Sequence, residues 1–336
     1  MKLFKHHILF FVLFQFFAES LQAQDPQYSQ YFNSPLSLNP AFTGYYDGRH
    51  RLTTNFRNQW LGAGDPFTTA SVGFDTRLLS EKLNNNILGI GAMVMGDRTA
   101  TGVYNSSYGS LSAAYHQALD EEGFQHLGVG FQGSWGSRFL DYNRISFNNQ
   151  FASRGFDLSL PSNENFNSRN ASYVDFNFGV MYNYLKDRKR FFIGSSYYHV
   201  NQPGMNFGGN EPYILPSRVT VHGGASILVG IQGELFLSGN YMSQGGASNA
   251  SFGLAYGYSP REMNDNNVLY AGLFYRSQDA VYPYLGYLFN DIQIGLSYDI
   301  NTTGIQTGSS RNRSFELSVI YHFFDPNALR RVMPWY

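Results

Sequence analysis

The stretch "SYVDFNFGVMYNYL", residues 172–185, decides the fold class because apolar and polar side chains alternate along it. Successive side chains of a β-strand point to opposite faces of the sheet, so this alternation predicts a strand with two unlike faces. One face carries Val174, Phe176, Phe178, Val180, Tyr182 and Tyr184. The other carries Asp175, Asn177, Gly179, Met181 and Asn183. The first face suits lipid or a protein core, and the second suits water or hydrogen bonding.

The same alternation recurs from residue 50 to residue 324, and "DIQIGLSYDI", residues 291–300, is the next clearest case. Each predicted strand is close to the roughly 9–11 residues that a tilted strand needs to cross a bilayer. Their number is even, as in single-chain bacterial barrels. A long interruption at 136–170 is predicted to be a loop with a short strand at 145–147. The predicted strands are 50–60, 66–79, 87–96, 106–117, 125–135, 172–184, 190–199, 217–228, 231–241, 247–258, 267–277, 280–288, 291–300 and 313–324.

Composition favours a membrane barrel over a soluble β-sandwich, which would show the same alternation. Charged residues make up 14% of the chain and aromatic residues 17%, whereas about 25% of residues are charged in typical soluble domains. Aromatic residues concentrate at segment ends, where the interfacial girdles of a membrane barrel lie. We therefore predict an all-β fold: a transmembrane antiparallel β-barrel of about 14 strands with a short N-terminal helical or extended plug segment.

The chain divides into four predicted regions. Residues 1–23 resemble a secretory signal peptide, because Lys2 and Lys5 precede an apolar run that ends before Ala23. Residues 24–48 form the plug segment, residues 49–324 the outer-membrane barrel, and residues 325–336 a C-terminal tail. The apolar run is shorter than the roughly 20 residues of a membrane-spanning helix, so we expect export followed by cleavage after Ala23.

The plug segment begins with "DPQYSQYFNSPLSLNPAFTG", residues 25–44, which contains three prolines, four aromatic rings and one charge. Asp25 and Pro26 suit the start of a helix, with residues 28, 31 and 32 on one face, and we expect residues 34–44 to be extended. Rings with so little charge around them are expected to pack against something, and the nearest surface is the periplasmic end or lumen of the barrel. The candidate contact residues are Tyr28, Tyr31, Phe32, Asn39, Pro40 and Phe42.

The polar faces of the strands supply candidate lumen-facing residues, namely Asp175, Asn177, Glu234 and Glu316. Such residues could line a water-filled pore or form hydrogen bonds across a packed lumen, and the sequence favours neither arrangement.

The sequence predicts no catalytic, cofactor-binding or metal site. "GVGFQG", residues 128–133, matches a dinucleotide fingerprint in letters only, because it lies within a strand rather than before a helix. His199 lies near Asn201, as in membrane phospholipases, but the chain has no G-x-S-x-G motif. The net charge of −1 gives no support for nucleic-acid binding.

Several motifs together resemble the PorP/SprF family of type IX secretion system membrane proteins. The most specific is "QDPQYSQYFNSPLSLNPAFTG", residues 24–44, and the others follow in the order of the family: "YYHVNQP" (197–203), "LPSRVTVHGGA" (215–225), "YRSQDAVYPYLGY" (275–287), "IQIGLSYDI" (292–300) and "SFELSVIYHF" (314–323). The resemblance implies a non-enzymatic outer-membrane barrel of the Bacteroidota. It would support the secretion or surface anchoring of large exported proteins and, in gliding species, of adhesins.

The resemblance also implies partners. These are outer-membrane lipid, the periplasmic ring components of the secretion system, a peptidoglycan-binding OmpA-like lipoprotein, and a secreted adhesin with a family-specific C-terminal domain. The alternative function is an outer-membrane transport barrel, or porin, for small or hydrophobic solutes.

Overall fold

A closed barrel of fourteen antiparallel strands makes up most of the computed structural model. The structure describes residues 24–323 except 62–65, 80–81, 84, 100–101, 158, 164–169, 187–188, 208–210, 261–266, 303–305, 308–309 and 312. The predicted signal peptide and C-terminal tail therefore lie outside the described residues. The barrel strands are β1 His50–Leu61, β2 Phe67–Leu78, β3 Ile87–Thr99, β4 Tyr104–Ala118, β5 Gln125–Leu140, β6 Asn170–Lys186, β7 Lys189–Tyr198, β8 Arg218–Val229, β9 Gly233–Gln244, β10 Ala247–Tyr258, β11 Asn267–Arg276, β12 Ala280–Phe289, β13 Ile292–Asn301 and β14 Arg313–Phe323.

The predicted fold class is confirmed. Each strand pairs with the next one along the chain, and β14 pairs with β1 to close the barrel, for example at Phe56 and Leu317. Alternation places the apolar face outside: Val174 is 55% exposed, whereas its neighbour Asp175 is fully buried. Within the described residues, no helix has the length and apolar character needed to cross a membrane.

The barrel has two unlike ends. We call the end at which β1 begins and β14 ends the terminal end, and the opposite end the loop end. Two long connections, 141–169 and 199–217, lie at the loop end, whereas the terminal end has short turns such as 230–232 and 290–291. Further two-residue strand pairs lie in the loop-end connections: Gly204–Met205 with Tyr213–Ile214, and Gln306–Thr307 with Ser310–Arg311.

The short strand predicted at 145–147 is wrong. The structure instead has 3-10 turns at Tyr142–Arg144 and Asn148–Gln150, followed by a hairpin of Phe151–Ala152 with Gly155–Phe156. The backbone N–H of Ile145 donates to the Tyr142 carbonyl, and that of Phe147 donates to the Gln150 side chain. These local turns use the donors that a strand ladder would need.

The helix predicted to begin at Asp25 is also wrong. Helical turns occur later, as a 3-10 turn at Tyr31–Asn33, a four-residue helix α1 at Pro35–Leu38 and a 3-10 turn at Pro40–Phe42. Proline suits the first position of a helix because it has no N–H to leave unpaired, so Pro35 and Pro40 begin turns where the sequence predicts an extended segment. The backbone N–H groups of Ser29 and Gln30 are not available to an earlier helix, since both donate to a carboxylate of the barrel wall.

Candidate functional site

The plug segment runs through the barrel lumen from the loop end to the terminal end. At the loop end, the Asp25 N–H donates to the Gln244 side chain at 2.9 Å. At the terminal end, the Gly44 N–H donates to the Asp75 carboxylate at 2.8 Å. Between these points most plug side chains are buried. The polar lumen predicted from the sequence is therefore packed along this path.

All six candidate contact residues lie in the lumen, and their aromatic members meet aromatic or hydroxyl groups of the wall. Phe32 packs against Phe274 and Tyr284, with ring centroids 5.2 and 5.4 Å apart. Phe42 lies 5.1 Å from the ring of His222. The hydroxyl groups of Tyr28 and Tyr31 are each 2.8 Å from a serine hydroxyl of the wall, Ser71 and Ser238 respectively.

Asn39 and Pro40 occupy a notch in the wall that exists because two residues there have no side chain. A Cβ added at Gly179 would overlap the Asn39 side chain, and one added at Gly130 would overlap the backbone of Pro40 and Ala41. The Asn39 amide donates to two wall carbonyls, at 3.1 and 3.2 Å, and its Oδ1 accepts from the Ala41 N–H. Asn39 is thus fixed on both sides, which gives a physical reason for an Asn-Pro pair at this point.

Carboxylates of β13 and β14 hold the plug a few residues after its start. Glu316 accepts from the backbone N–H groups of Ser29 and Gln30 at 2.7 and 2.9 Å. Asp299 accepts from the Ser29 hydroxyl and forms ion pairs with Arg57 and Arg276. Glu316 is a predicted lumen residue, whereas the two arginines are not among the predicted ones, although period-2 alternation along β1 and β11 places both on the inner face.

The other predicted lumen residues also lie on the inner face. Asp175 contacts the imidazole of His199 at 2.9 Å, and the Asn177 side chain accepts from the backbone N–H of His199 at 2.9 Å. Asn177 also donates to Gln132, whose own amide donates to the plug carbonyl of Leu36. Glu234 is buried on β9. Asp175 and Asn177 thus contact the groups that hold the plug.

A cluster of charges fastens the plug at the loop end. The Asp25 carboxylate lies 2.7 Å from Nε2 of His199, 3.2 Å from Arg218 and 3.5 Å from Arg138. His199 directly follows β7 and has a positive φ of 58°, and its Nδ1 faces Asp175 at 2.9 Å. The sequence predicts only that His199 ends a strand, because no pattern in it shows that a residue with a left-handed backbone places its ring between two carboxylates.

Electrostatics favour the charged form of this histidine. Burial alone would lower the pKa of His199, but the carboxylates of Asp25 and Asp175 outweigh burial and raise that pKa above its ordinary value. Burial also opposes ionisation of Asp25, yet His199, Arg218 and Arg138 hold the pKa of Asp25 far below its usual range. Both ring nitrogens of His199 therefore act as donors to carboxylates.

Alkaline pH is expected to loosen this attachment. The raised pKa of His199 means that its stabilising contribution is complete below the ordinary value and is lost as pH rises through the raised value. Neutral His199 can donate to only one of Asp25 and Asp175, and a charge-assisted hydrogen bond contributes about 1.5–3 kcal/mol. We expect the Asp25 amide to exchange hydrogen about tenfold faster at about pH 9 than at about pH 6, after correction for intrinsic rates.

Hydrogen exchange measured by mass spectrometry across this pH range provides the test. His199→Gln is the matched control, because glutamine does not titrate, and it should remove the pH dependence. Equal protection of the N-terminal residues at both pH values in the wild-type protein would contradict the prediction.

A second attachment fixes the plug at the terminal end. Arg51 donates to both carboxylate oxygens of Asp75, at 3.0 and 2.9 Å, and to the Phe42 carbonyl at 3.1 Å. The Arg77 guanidinium donates to the Gly44 carbonyl at 2.8 Å. The plug is therefore tied to the wall shortly before the chain enters β1.

The described residues include two sizeable concave surfaces. A vestibule of about 670 Å³ opens at the loop end and is lined by the first plug residues, 24–27, and by the charged residues Arg57, Asp97, Arg138, Arg276 and Asp279. An apolar groove of about 600 Å³ lies on the lipid-facing wall, where Gly223, Gly239 and neighbouring glycines of β8–β10 leave space. Among the described residues, no group of three or more histidines and carboxylates could hold a metal ion.

Comparisons with known proteins agree with this architecture. A family model described as "Type IX secretion system membrane protein PorP/SprF" matches residues 20–321. A search of the curated proteins found no match.

Solved structures with a similar fold include two toluene transporters. TbuX of Ralstonia pickettii has a TM-score of 0.51 at 12% identity, covering 87% of this chain and 94% of that one. TodX of Pseudomonas putida has a TM-score of 0.53 at 10% identity, covering 86% and 93%. A FadL homologue of Pseudomonas aeruginosa has a TM-score of 0.50 at 13% identity, covering 85% and 93%. At such low identity these similarities show the fold alone.

Proposed function

Because the chain belongs to the PorP/SprF family of type IX secretion system membrane proteins, we propose that it is a non-enzymatic outer-membrane component that supports the secretion or surface anchoring of large exported proteins. The observation that carries this proposal is the family match, which runs from residue 20 to residue 321 and so includes both the plug segment and nearly all of the barrel. The proposed partners are other components of the secretion system and the exported protein.

The packed lumen supports a role in docking rather than conduction. Plug backbone N–H groups donate to wall side chains near the loop end and at the terminal end, and the Asn39 side chain donates to wall carbonyls between them. A polypeptide crossing the barrel would have to displace all of these contacts. The exposed surfaces at the two ends are therefore the natural places for partners to bind.

The unequal ends support an orientation. Bacterial outer-membrane barrels have short periplasmic turns and longer extracellular loops. We accordingly assign the loop end, with connections 141–169 and 199–217, to the cell exterior, and the terminal end to the periplasm. An exported adhesin would then dock at the loop end. The ring components and a peptidoglycan-binding OmpA-like lipoprotein would bind at the terminal end.

A second candidate function is transport of small or hydrophobic solutes. The similar folds of TbuX, TodX and the FadL homologue favour it, as does the apolar groove on the barrel wall. The plug argues against free passage through the lumen. Uptake of labelled toluene into liposomes containing the purified protein tests this alternative, and uptake at the rate of protein-free liposomes would exclude it for that solute.

Deleting the gene is expected to remove a small, specific set of large proteins from the cell surface. The measurement is a quantitative comparison of surface and periplasmic proteins between wild-type, deleted and complemented strains. Export arrested before surface anchoring would release these proteins into the medium or trap them in the periplasm, and either result supports the proposal. An unchanged surface proteome in the deleted strain would contradict it.

A further inference from the structure

We propose that His199, Arg138 and Arg218 form a binding site for a carboxylate of a polypeptide that enters from the loop end, and that Asp25 occupies this site as an internal stand-in. The proposal rests on the proposed function only for the side from which the polypeptide comes.

The geometry is that of a site built around one carboxylate. Three cationic side chains converge on Asp25, at 2.7 Å from His199, 3.2 Å from Arg218 and 3.5 Å from Arg138. Arg218 is held in place by the ring of Tyr198, with its guanidinium carbon 3.9 Å from the ring centroid. The arginines are 7% and 6% exposed, and the Nε of each is buried without a hydrogen-bond partner among the described residues. The site therefore retains donor capacity that Asp25 does not use.

Charge balance makes an exchange of anions the natural event here. With Asp25 in place, three cations face two carboxylates, the second being Asp175. If Asp25 left alone, three buried cations would face one carboxylate, and uncompensated buried charge is costly. Departure of Asp25 is therefore favoured only when another anion takes its place.

The vestibule gives such an anion access. Asp25 and Arg138 both line it, and the Asp25 side chain is 11% exposed. Trp60 and the amide side chains of Gln59 and Asn249 also line it, and aromatic and amide groups of this kind suit a peptide. The volume of about 670 Å³ is large enough for a short segment of chain.

A carboxylate fits this path better than a phosphate does. The group already bound is a carboxylate, and the vestibule carries two further acidic residues, Asp97 and Asp279. Arg57 and Arg276 also line the vestibule and offset these two charges, so the vestibule has no excess positive charge that would favour a doubly charged phosphate over a singly charged carboxylate. Binding would free the start of the plug, while Glu316 and Asp75 would keep the remainder attached.

The test uses the purified full-length protein in detergent and two fluorescent glycine–serine peptides with amidated C-termini. One peptide carries a single aspartate and the other an asparagine at the same position. When an internal group competes for a site, the apparent affinity for a ligand equals the intrinsic affinity multiplied by the fraction of molecules in which the site is free. The variant Asp25→Ala should therefore bind the aspartate peptide about tenfold more tightly than wild type, and adding Arg218→Gln to Asp25→Ala should abolish the gain.

The variant Asp25→Asn keeps the shape of the resident side chain but removes its charge, so it should also bind the aspartate peptide more tightly than wild type. It replaces Asp25→Ala in the test if that variant fails to fold. Hydrogen exchange of the wild-type protein gives a second measurement: the aspartate peptide should accelerate exchange in residues 25–28. Equal binding of both peptides, or no effect of either variant at Asp25, would overturn the proposal.

Inorganic phosphate and acetate serve as competitors at matched ionic strength. Stronger displacement by acetate supports a carboxylate site, whereas stronger displacement by phosphate would overturn the assignment to a polypeptide carboxylate. These readouts do not depend on secretion. If the peptides do not bind as expected but gene deletion alters the surface proteome, only the proposed binding site is rejected. If gene deletion leaves the surface proteome unchanged, the proposed function is rejected.

Discussion

Deleting Gln24–Phe42 is expected to convert the barrel into an ion-conducting pore. The deleted residues carry the aromatic rings, the Asn39–Pro40 turn and the hydrogen bonds to Glu316 that fill the lumen. A barrel of about eight strands is filled by its own side chains, whereas one of 16–18 strands leaves an aqueous channel. A barrel of fourteen strands is closer in size to the second group, so its lumen should admit water and ions once the plug is removed.

Conductance in planar lipid bilayers measures this effect. We expect the conductance of the wild-type protein to be close to that of the bilayer alone. The protein without residues 24–42 should conduct at least about tenfold more, as a porin of similar strand number does. Heat-modified mobility in detergent gels, which reports barrel formation, shows whether the deleted protein folds. A folded, deleted barrel with unaltered conductance would contradict the plug interpretation.

A point variant provides an independent version of the same test. Gly179→Ala introduces a Cβ where Asn39 lies, and Asn39 is held by several hydrogen bonds and cannot simply rotate away. Overpacking of this kind costs about 1–3 kcal/mol, so the turn should leave its notch part of the time and produce intermittent current. Gly109→Ala is the matched control, because nothing lies within 4 Å of a Cβ added there.

The barrel could be predicted from the sequence because its signal is local. Along "SYVDFNFGVMYNYL" the polarity of each side chain shows which face of the strand it lies on, and in a membrane barrel the apolar face is the one that contacts lipid. Neighbouring strands then pair in chain order, so topology needs no information about distant residues. The same reasoning placed Asp175 and Glu316 on the inner face.

The path of the plug could not be predicted in this way because it depends on partners far along the chain. The pattern of Asp25, Pro26 and the following aromatic residues is compatible with a helix until the donors of Ser29 and Gln30 meet Glu316, nearly 290 residues away. The charged cluster at the loop end also depends on contacts between residues that are far apart in the sequence. His199 matters because two carboxylates from different parts of the sequence meet its ring.

Replacing Arg51 with methionine is expected to destabilise the protein by about 3–5 kcal/mol, because it leaves the Asp75 carboxylate buried and uncompensated. Both side chains are 1% exposed, and the pair is held by two hydrogen bonds of 3.0 and 2.9 Å. The free energy of unfolding, from reversible denaturant titration in detergent micelles, provides the measurement. The matched control is Arg144→Met, whose ion pair with Asp141 has a similar length of 3.1 Å but whose own side chain is 50% exposed, so this substitution should cost about 0–1 kcal/mol.

The double variant Arg51→Met with Asp75→Asn separates charge from packing at this attachment. Asparagine removes the uncompensated charge but can still accept from the Gly44 N–H, so we expect recovery of at least about 2 kcal/mol relative to Arg51→Met alone. No recovery would mean that the arginine acts through packing or through its bond to the Phe42 carbonyl instead. The loss of stability caused by Arg51→Met should exceed that caused by any substitution at Asp25, because Asp75 holds the plug only a few residues before β1. Without this attachment the plug would no longer be fixed where it joins the wall, whereas loss of the Asp25 contacts frees only its first residues.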